Sequence, residues 1–200
     1  MKYTERLIKR KGQPCEIISR TPTVISKCIT APSTKAGWRF GDRDSYVDGI
    51  TLLDTSLTSG EVVLVSGFVS GYSGQKEIIV MAVNGDPIGQ VISFLGAKAT
   101  LHFDWQQQQV STDANYNVIQ TWANVSTSVP AYGQTVTAAL RQSDPGLLPT
   151  TKYLLDTPSA YDIKRFDRIA FNGVSAQVDD LDKIILDGII RLQCSEDTRV

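Results

Sequence analysis

The sequence predicts a mainly β protein, built from two small barrel- or sandwich-like modules with long hairpin loops and a short N-terminal helix. Three observations predict it. From Pro14 onward the apolar residues recur at period two, or in short Val/Ile-rich bursts between turn residues, which is the strand signature. Turn dipeptides punctuate those bursts, Asn172-Gly173 most clearly, because both central positions of a type I′ turn favour Asn-Gly. A segment also recurs. Leu52-Leu53-Asp54-Thr55-Ser56 followed by Gly60-Glu61-Val62-Val63-Leu64-Val65-Ser66-Gly67 is echoed by Leu154-Leu155-Asp156-Thr157-Pro158 followed by Phe166-Asp167-Arg168-Ile169-Ala170-Phe171-Asn172-Gly173. Two copies of a strand, loop and hairpin unit account for the echo economically.

At the start, Lys2 to Arg10 sets Tyr3 and Leu7 four residues apart among charges, which predicts a short amphipathic helix ended by Gly12-Gln13-Pro14. Strands are expected at Cys15–Ile18, Thr23–Thr30, Glu61–Val65, Glu77–Val83, Val91–Leu95, Thr100–Trp105, Asp167–Phe171 and Gly188–Cys194. The cleanest alternation sets Leu101, Phe103 and Trp105 against Thr100, His102 and Asp104, giving one dry and one wet face. Asn84-Gly85-Asp86-Pro87 and Asp187-Gly188 carry turn chemistry, and Ser70-Gly71-Tyr72-Ser73-Gly74 reads as a flexible hairpin tip. Gln106 to Val118 is too poor in apolar residues to be core and is expected as an exposed loop or the tip of a long hairpin. Ser143 to Pro149, stiffened by two prolines, joins this region to the last module. The expected organisation is a basic helical segment 1–12, a first β module 13–84, a hairpin insert 85–142 and a second β module 143–200.

With 200 residues, 42% hydrophobic and 20% charged, the chain can bury a sizeable core. Its 20 Lys+Arg balance 21 Asp+Glu, a formal charge of −1, which excludes the strongly basic balance of a protein that grips nucleic acid through phosphates. No window reaches the ~18 consecutive apolar residues of a membrane span, and the charged start lacks the apolar stretch of a signal peptide. A soluble protein made in a cytoplasm, without a membrane partner, is expected. Cys15, Cys28 and Cys194 form no CxxC and are expected as reduced core thiols.

Little in the sequence points to catalysis. His102 is the single histidine, yet its strand phase puts it on the polar face, and no Gly-x-Ser-x-Gly elbow supplies a nucleophile. Asp42-Arg43-Asp44 with Asp48 fails the calcium-loop spacing, which would put Tyr46 and Leu53 at ligand positions. Asp179, Asp180 and Asp182 make a denser acidic group, which reads better as a solvated loop than as a cation site. No phosphate loop or dinucleotide fingerprint occurs. The expectation is therefore no catalytic residue, no cofactor and no metal. Trp38, Trp105 and Trp122 offer an alternative function, a carbohydrate- or ligand-binding β-sandwich that stacks a sugar on an open ring.

Charge is unevenly distributed. Lys2, Arg6, Lys9, Arg10 and Lys11 against Glu5 give the first twelve residues a net +4 on an acidic remainder, which suits docking to an acidic neighbour. Trp38-Arg39-Phe40 lies in an irregular segment with spare apolar surface, best used on a protein partner. These eight residues, Glu5 apart, are the candidate interface.

The module Phe166-Asp167-Arg168-Ile169-Ala170-Phe171-Asn172-Gly173-Val174-Ser175-Ala176-Gln177-Val178-Asp179-Asp180, closed by Gly188-Ile189-Ile190-Arg191-Leu192-Gln193-Cys194, resembles the small β-barrel proteins of tailed-phage necks. In those head-tail joining proteins an Asp-Arg-Ile strand runs into a tight x-Gly turn, an alternating strand, a short acidic loop and a closing strand. Leu7-Ile8-Lys9-Arg10-Lys11-Gly12-Gln13-Pro14-Cys15-Glu16-Ile17 resembles their opening. The sequence departs from them at Phe166, where they often carry Gly, and at Ala176, where they often carry an aromatic residue. The resemblance implies a non-enzymatic virion protein that docks on the portal or its adaptor, and on tail proteins, as a homo-oligomeric ring of six. Genomic DNA would pass through that ring without sequence-specific contacts. A tail terminator, decoration or baseplate protein belongs to the same class.

Overall fold

The computed structural model describes residues 3–33, 45–67, 74–86, 88, 90–183 and 187–199. Lys2, Trp38, Arg39, Phe40 and most of the expected tip at 70–74 lie outside them. The chain divides into two compact units, residues 1–99 with 158–160 and 183–189, and residues 100–157 with 161–182 and 190–200.

The first unit opens with α1 (Tyr3–Lys11) and continues through β1 (Gln13–Ile17), β2 (Val24–Pro32), β3 (Tyr46–Leu52), a 3-10 turn (Leu53–Thr55), β4 (Val62–Ser66), β5 (Gln75–Asp86) and β6 (Val91–Lys98). The strands close into a barrel in the order β1-β2-β3-β6-β5-β4. Alternation decides what fills it. Cys15 and Ile17 on β1 face Val63 and Val65 on β4, and Cys28, Val47, Ile78, Val80 and Phe94 complete the interior.

The second unit contains β7 (Leu101–Thr112), β8 (Val118–Thr135), α2 (Ala138–Ser143), β9 (Tyr153–Pro158), β10 (Arg168–Phe171), β11 (Val174–Asp182) and β12 (Ile189–Glu196). It too is a closed barrel, in the order β7-β8-β9-β12-β11-β10, with Phe103, Trp105, Ile169, Val178, Ile190 and Leu192 in its core. Asn172 (φ 47) and Gly173 (φ 77) turn β10 into β11 with both central residues at positive φ, as the Asn-Gly pair predicts.

The two barrels have the same strand order, β1 to β6 corresponding to β7 to β12, and the correspondence reaches single hydrogen bonds. The Gly60 N–H donates to Val80 O and the Val80 N–H to Glu61 O. In the second barrel the Phe166 N–H donates to Val178 O and the Val178 N–H to Asp167 O. The next strand pair shifts register between Val80 and Ala82 in one barrel and between Val178 and Asp180 in the other. Positive φ recurs at Gly60 (84) and Phe166 (71), and again at Gly67 (67) and Gly173 (77). The sequence echo is therefore the trace of a repeated barrel. Phe166 occupies a backbone position that suits glycine, as Gly60 does at the equivalent place in the first barrel.

One boundary expectation needs correction. Residues 85–142 are not a separate insert, because β5 runs through Asn84, Gly85 and Asp86, paired to Ser93, Ile92 and Val91, and completes the first barrel. The segment expected as a turn at Asn84–Pro87 is thus strand as far as Asp86. Only Ala99 and Thr100 separate β6 from β7, which opens the second barrel. Barrel closure depends on pairings such as β1 with β4, far apart in sequence, which local turn chemistry does not encode.

Candidate interaction surfaces

The N-terminal helix forms as its sequence predicts, with Glu5 in its first turn and Lys9, Arg10 and Lys11 in its last, the arrangement its dipole favours. Lys9 Nζ pairs with Glu5 Oε1 at 2.8 Å, one turn back. Ile8 is 0% exposed, and the helix packs on β2 and β3. Two contacts fix its end. The Gly12 N–H donates to Ile8 O at 2.8 Å, and Lys27 Nζ donates to Lys9 O at 2.9 Å. A Cβ at Gly12 would run into the Ile8 carbonyl, so the chain leaves this helix on glycine. Away from Ile8, the exposed residues Tyr3, Arg6, Leu7 and Arg10 follow the 3-4-7 spacing of one helix face. Of the candidate interface, Arg6, Lys9, Arg10 and Lys11 are exposed here, although Lys9 is engaged with Glu5.

Of the two forms expected for the polar stretch after Trp105, loop or long hairpin, the structure shows the hairpin, a paired ribbon. β7 and β8 pair without interruption from Gln106 opposite Asn124 to Thr112 opposite Val118. Asp113 makes the turn between them, its Oδ1 accepting from the backbone N–H groups of Asn115 and Asn117, each at 2.8 Å, and its Oδ2 from Asn117 Nδ2 at 3.0 Å. The Asn117 side-chain amide, followed by these backbone bonds, holds the Asp113 carboxyl below its usual pKa. Side-chain amides bridge the two strands, Gln106 Nε2 to Asn124 Oδ1 at 2.8 Å and Gln108 Nε2 to Gln120 Oε1 at 2.7 Å.

At the root of this arm is a cluster that leaves no local signal in the sequence. Arg168 and Arg199 both lie over the Trp122 ring, 4.0 and 4.6 Å from its centroid. Asp197, its side chain fully buried, binds both guanidiniums, accepting from Arg168 Nε at 2.6 Å and Arg199 Nε at 2.8 Å. Burial raises the Asp197 carboxyl, but hydrogen bonds from Arg199 and Arg168 outweigh it and bring the pKa down to about 2. Trp122 stands more than forty residues from Arg168 and further from Arg199, so no local spacing reveals the stack.

Trp105, by contrast, faces the core. It is 7% exposed, and its Nε1 donates to Asp167 Oδ2 at 2.7 Å. Asp167 also accepts from the Lys164 N–H at 2.9 Å, the counterpart of Glu61 accepting from the Thr58 N–H at 2.8 Å in the first barrel. Of the aromatic platform the sequence offered, Trp105 is therefore interior and Trp122 is covered by guanidiniums.

The other candidates are dispersed. His102 is exposed on β7, opposite Pro130. Asp179, Asp180 and Asp182 sit along β11 rather than in a loop; Asp179 Oδ1 accepts from Gln177 Nε2 at 3.0 Å, and Asp180 lies 3.8 Å from Arg165 Nε. Among the described residues no group of three or more His, Cys, Asp or Glu could hold a metal ion. Cys15, Cys28 and Cys194 are free thiols and all buried. An open groove over β3, β6 and β5 has Asp48 as its one ionisable lining residue among the described residues.

No family model and no curated protein matches the chain. Two solved structures, both of MrkH from K. pneumonia and one of them in its apo state, align with 98% of this chain and 83% of theirs. Their identities are 10% and 9% and their TM-scores 0.25 and 0.22, a likeness that carries no argument about fold or function.

Proposed function

We propose that this chain is a non-enzymatic structural subunit of a tailed-phage neck, a head-tail connector that assembles as a six-membered ring joining portal to tail and continuing the DNA channel. One observation carries the reading. α1 is fastened to its barrel by Ile8 and turns an outward stripe of Tyr3, Arg6, Leu7 and Arg10 to solvent, an apolar and basic surface suited to an acidic protein neighbour. Two supports accompany it. The stretch similar to neck proteins falls on β10, β11 and β12 of a closed barrel, and the chain's near-neutral charge suits a conduit that must not retain the DNA passing through it.

The test is binding of the full chain to purified portal rings, compared with Arg6→Glu/Arg10→Glu. The wild type binds, with an affinity that falls as salt rises. The variant binds at least about tenfold more weakly, as expected for losing two attractive charges and gaining two repulsive ones, while a carboxylate in the last helical turn costs it only about 1 kcal/mol of stability. Wild-type protein that ignores portal rings at every salt concentration contradicts the reading.

A further inference from the structure

The arm formed by β7 and β8 extends past the strand pairing that closes its own barrel. In the first barrel the equivalent hairpin turns at once, β1 ending at Ile17 and β2 beginning at Val24. In the second, the two strands run on together for residues 106–112 and 118–124. β10 pairs with β7 only from Asp104 to Gln106, and β9 with β8 only from Tyr132 to Thr135. Beyond those points no further pairing of either arm strand occurs among the described residues, and both present backbone donors and acceptors at their outer edges.

A lone two-stranded ribbon is marginal in water. This one exposes Val110 (66%), Tyr116 (90%) and Val118 (66%). Its one charged residue is Asp113, committed to the turn. Natural edges are normally blunted by Lys, Pro or a bulge that stops another strand from adding. Residues 107–112 and 118–124 contain no Lys, Arg or Pro, and the register shifts of the pair lie nearer the barrel, between Phe103 and Gln106.

The topology selects the occupant. Both barrels are closed, so each barrel strand already has a neighbour on either side. Among the described residues the arm alone offers an edge of this length. The arm of a second copy offers strands of the same length, and residues 106–112 and 118–124 carry no charged side chain to repel them. We propose that copies of this chain associate by pairing arm edge to arm edge, as strand addition. The new pairing would extend the amide ladder begun by Gln106–Asn124 and Gln108–Gln120 and set a neighbouring strand's side chains beside Val110 or Val118, which occupy the same face as those amides. The inference rests on the self-association in the ring reading and not on the virion role.

Sedimentation equilibrium of the full chain tests it, comparing wild type with Ser111→Lys/Thr121→Lys, which puts one charge on each arm strand without setting the two directly opposite. The wild type associates with rising concentration. The variant associates at least about tenfold more weakly, as expected for like charges brought together at a strand pair, with unchanged far-ultraviolet circular dichroism. Thr121→Cys treated with a bismaleimide gives covalent dimers cross-linked at residue 121 of both copies, and it decides the matter if the lysines disturb the fold. A wild type that stays monomeric, a folded lysine variant that associates as tightly as wild type, or a Thr121→Cys chain that yields no such dimer overturns arm pairing. A lysine variant that still closes rings on a portal overturns arm pairing alone. Arms that pair in a protein that ignores portal rings overturn only the neck reading.

Discussion

Asp197 shows how one side chain links the barrel to the arm. Its carboxylate is fully buried between Arg168 and Arg199, and both of those lie over Trp122 on β8. Asp197→Ala therefore leaves two guanidiniums without their anion. The expected cost is about 1–3 kcal/mol, below that of a deeply buried pair because the arginines retain some solvent. Amide exchange in residues 107–123 should also quicken, because the stack that steadies the arm is loosened; a variant with unchanged stability and unchanged arm exchange would contradict the assignment. The pH dependence has a definite sign. The Asp197 pKa is depressed to about 2, so its stabilisation is present above the ordinary aspartate value near 4 and is lost as pH falls from about 4 to about 2. Chemical denaturation across that interval should show a steeper loss in wild type than in Asp197→Asn. Trp105→Phe removes one of the donors to Asp167 and should cost about 1–2 kcal/mol by the same measurement.

Among the elements, α1 was legible in the sequence as a basic amphipathic helix, but its dual nature was not. Residues 1–12 read as a basic segment suited to docking, and the sequence did not mark Ile8, which is fully buried and holds the helix to β2 and β3. Ile8→Ala should therefore destabilise the first barrel by about 2–5 kcal/mol in thermal or urea melts, while Arg6→Glu/Arg10→Glu costs only about 1 kcal/mol, that of a carboxylate in the last helical turn. Equal melts for Ile8→Ala and wild type would return the helix to a loose appendage. The Asn172-Gly173 hairpin was legible because its signal lies in two adjacent residues. The arm was half legible. Its polar composition marked it as exposed, as a loop or the tip of a long hairpin, but the pairing of Gln106 through Thr112 with Val118 through Asn124 lacks the apolar alternation that betrays a strand. The six-residue α2, capped by Thr137 accepting from the Leu140 N–H, is too short for a periodic signal.

For the whole molecule, the internal echo carried more information than any motif. Leu-Leu-Asp-Thr and the two hairpins after it share common strand residues, so the repeat is weak as text. In three dimensions it extends to strand order, register shift and positive-φ positions. What the text did not reveal was the division between the copies, because Ala99 and Thr100 join the barrels without a glycine or proline to mark the junction. The repeat itself makes a prediction. Phe166 holds the positive φ that Gly60 holds in the first barrel, so Phe166→Gly should be tolerated within about 1 kcal/mol, strain relief offsetting the added freedom of the unfolded chain. A loss of several kcal/mol in a urea melt would mean that the two positions are not equivalent. The proposed neck role joins two closed barrels, a basic helix face and an arm whose paired strands carry no charge, and the measurement that tests it most directly is native mass spectrometry of the full chain, alone and with portal rings. The account predicts a discrete closed multiple of the 21.9 kDa chain seated on the portal; a chain that remains a monomer in both samples would contradict it.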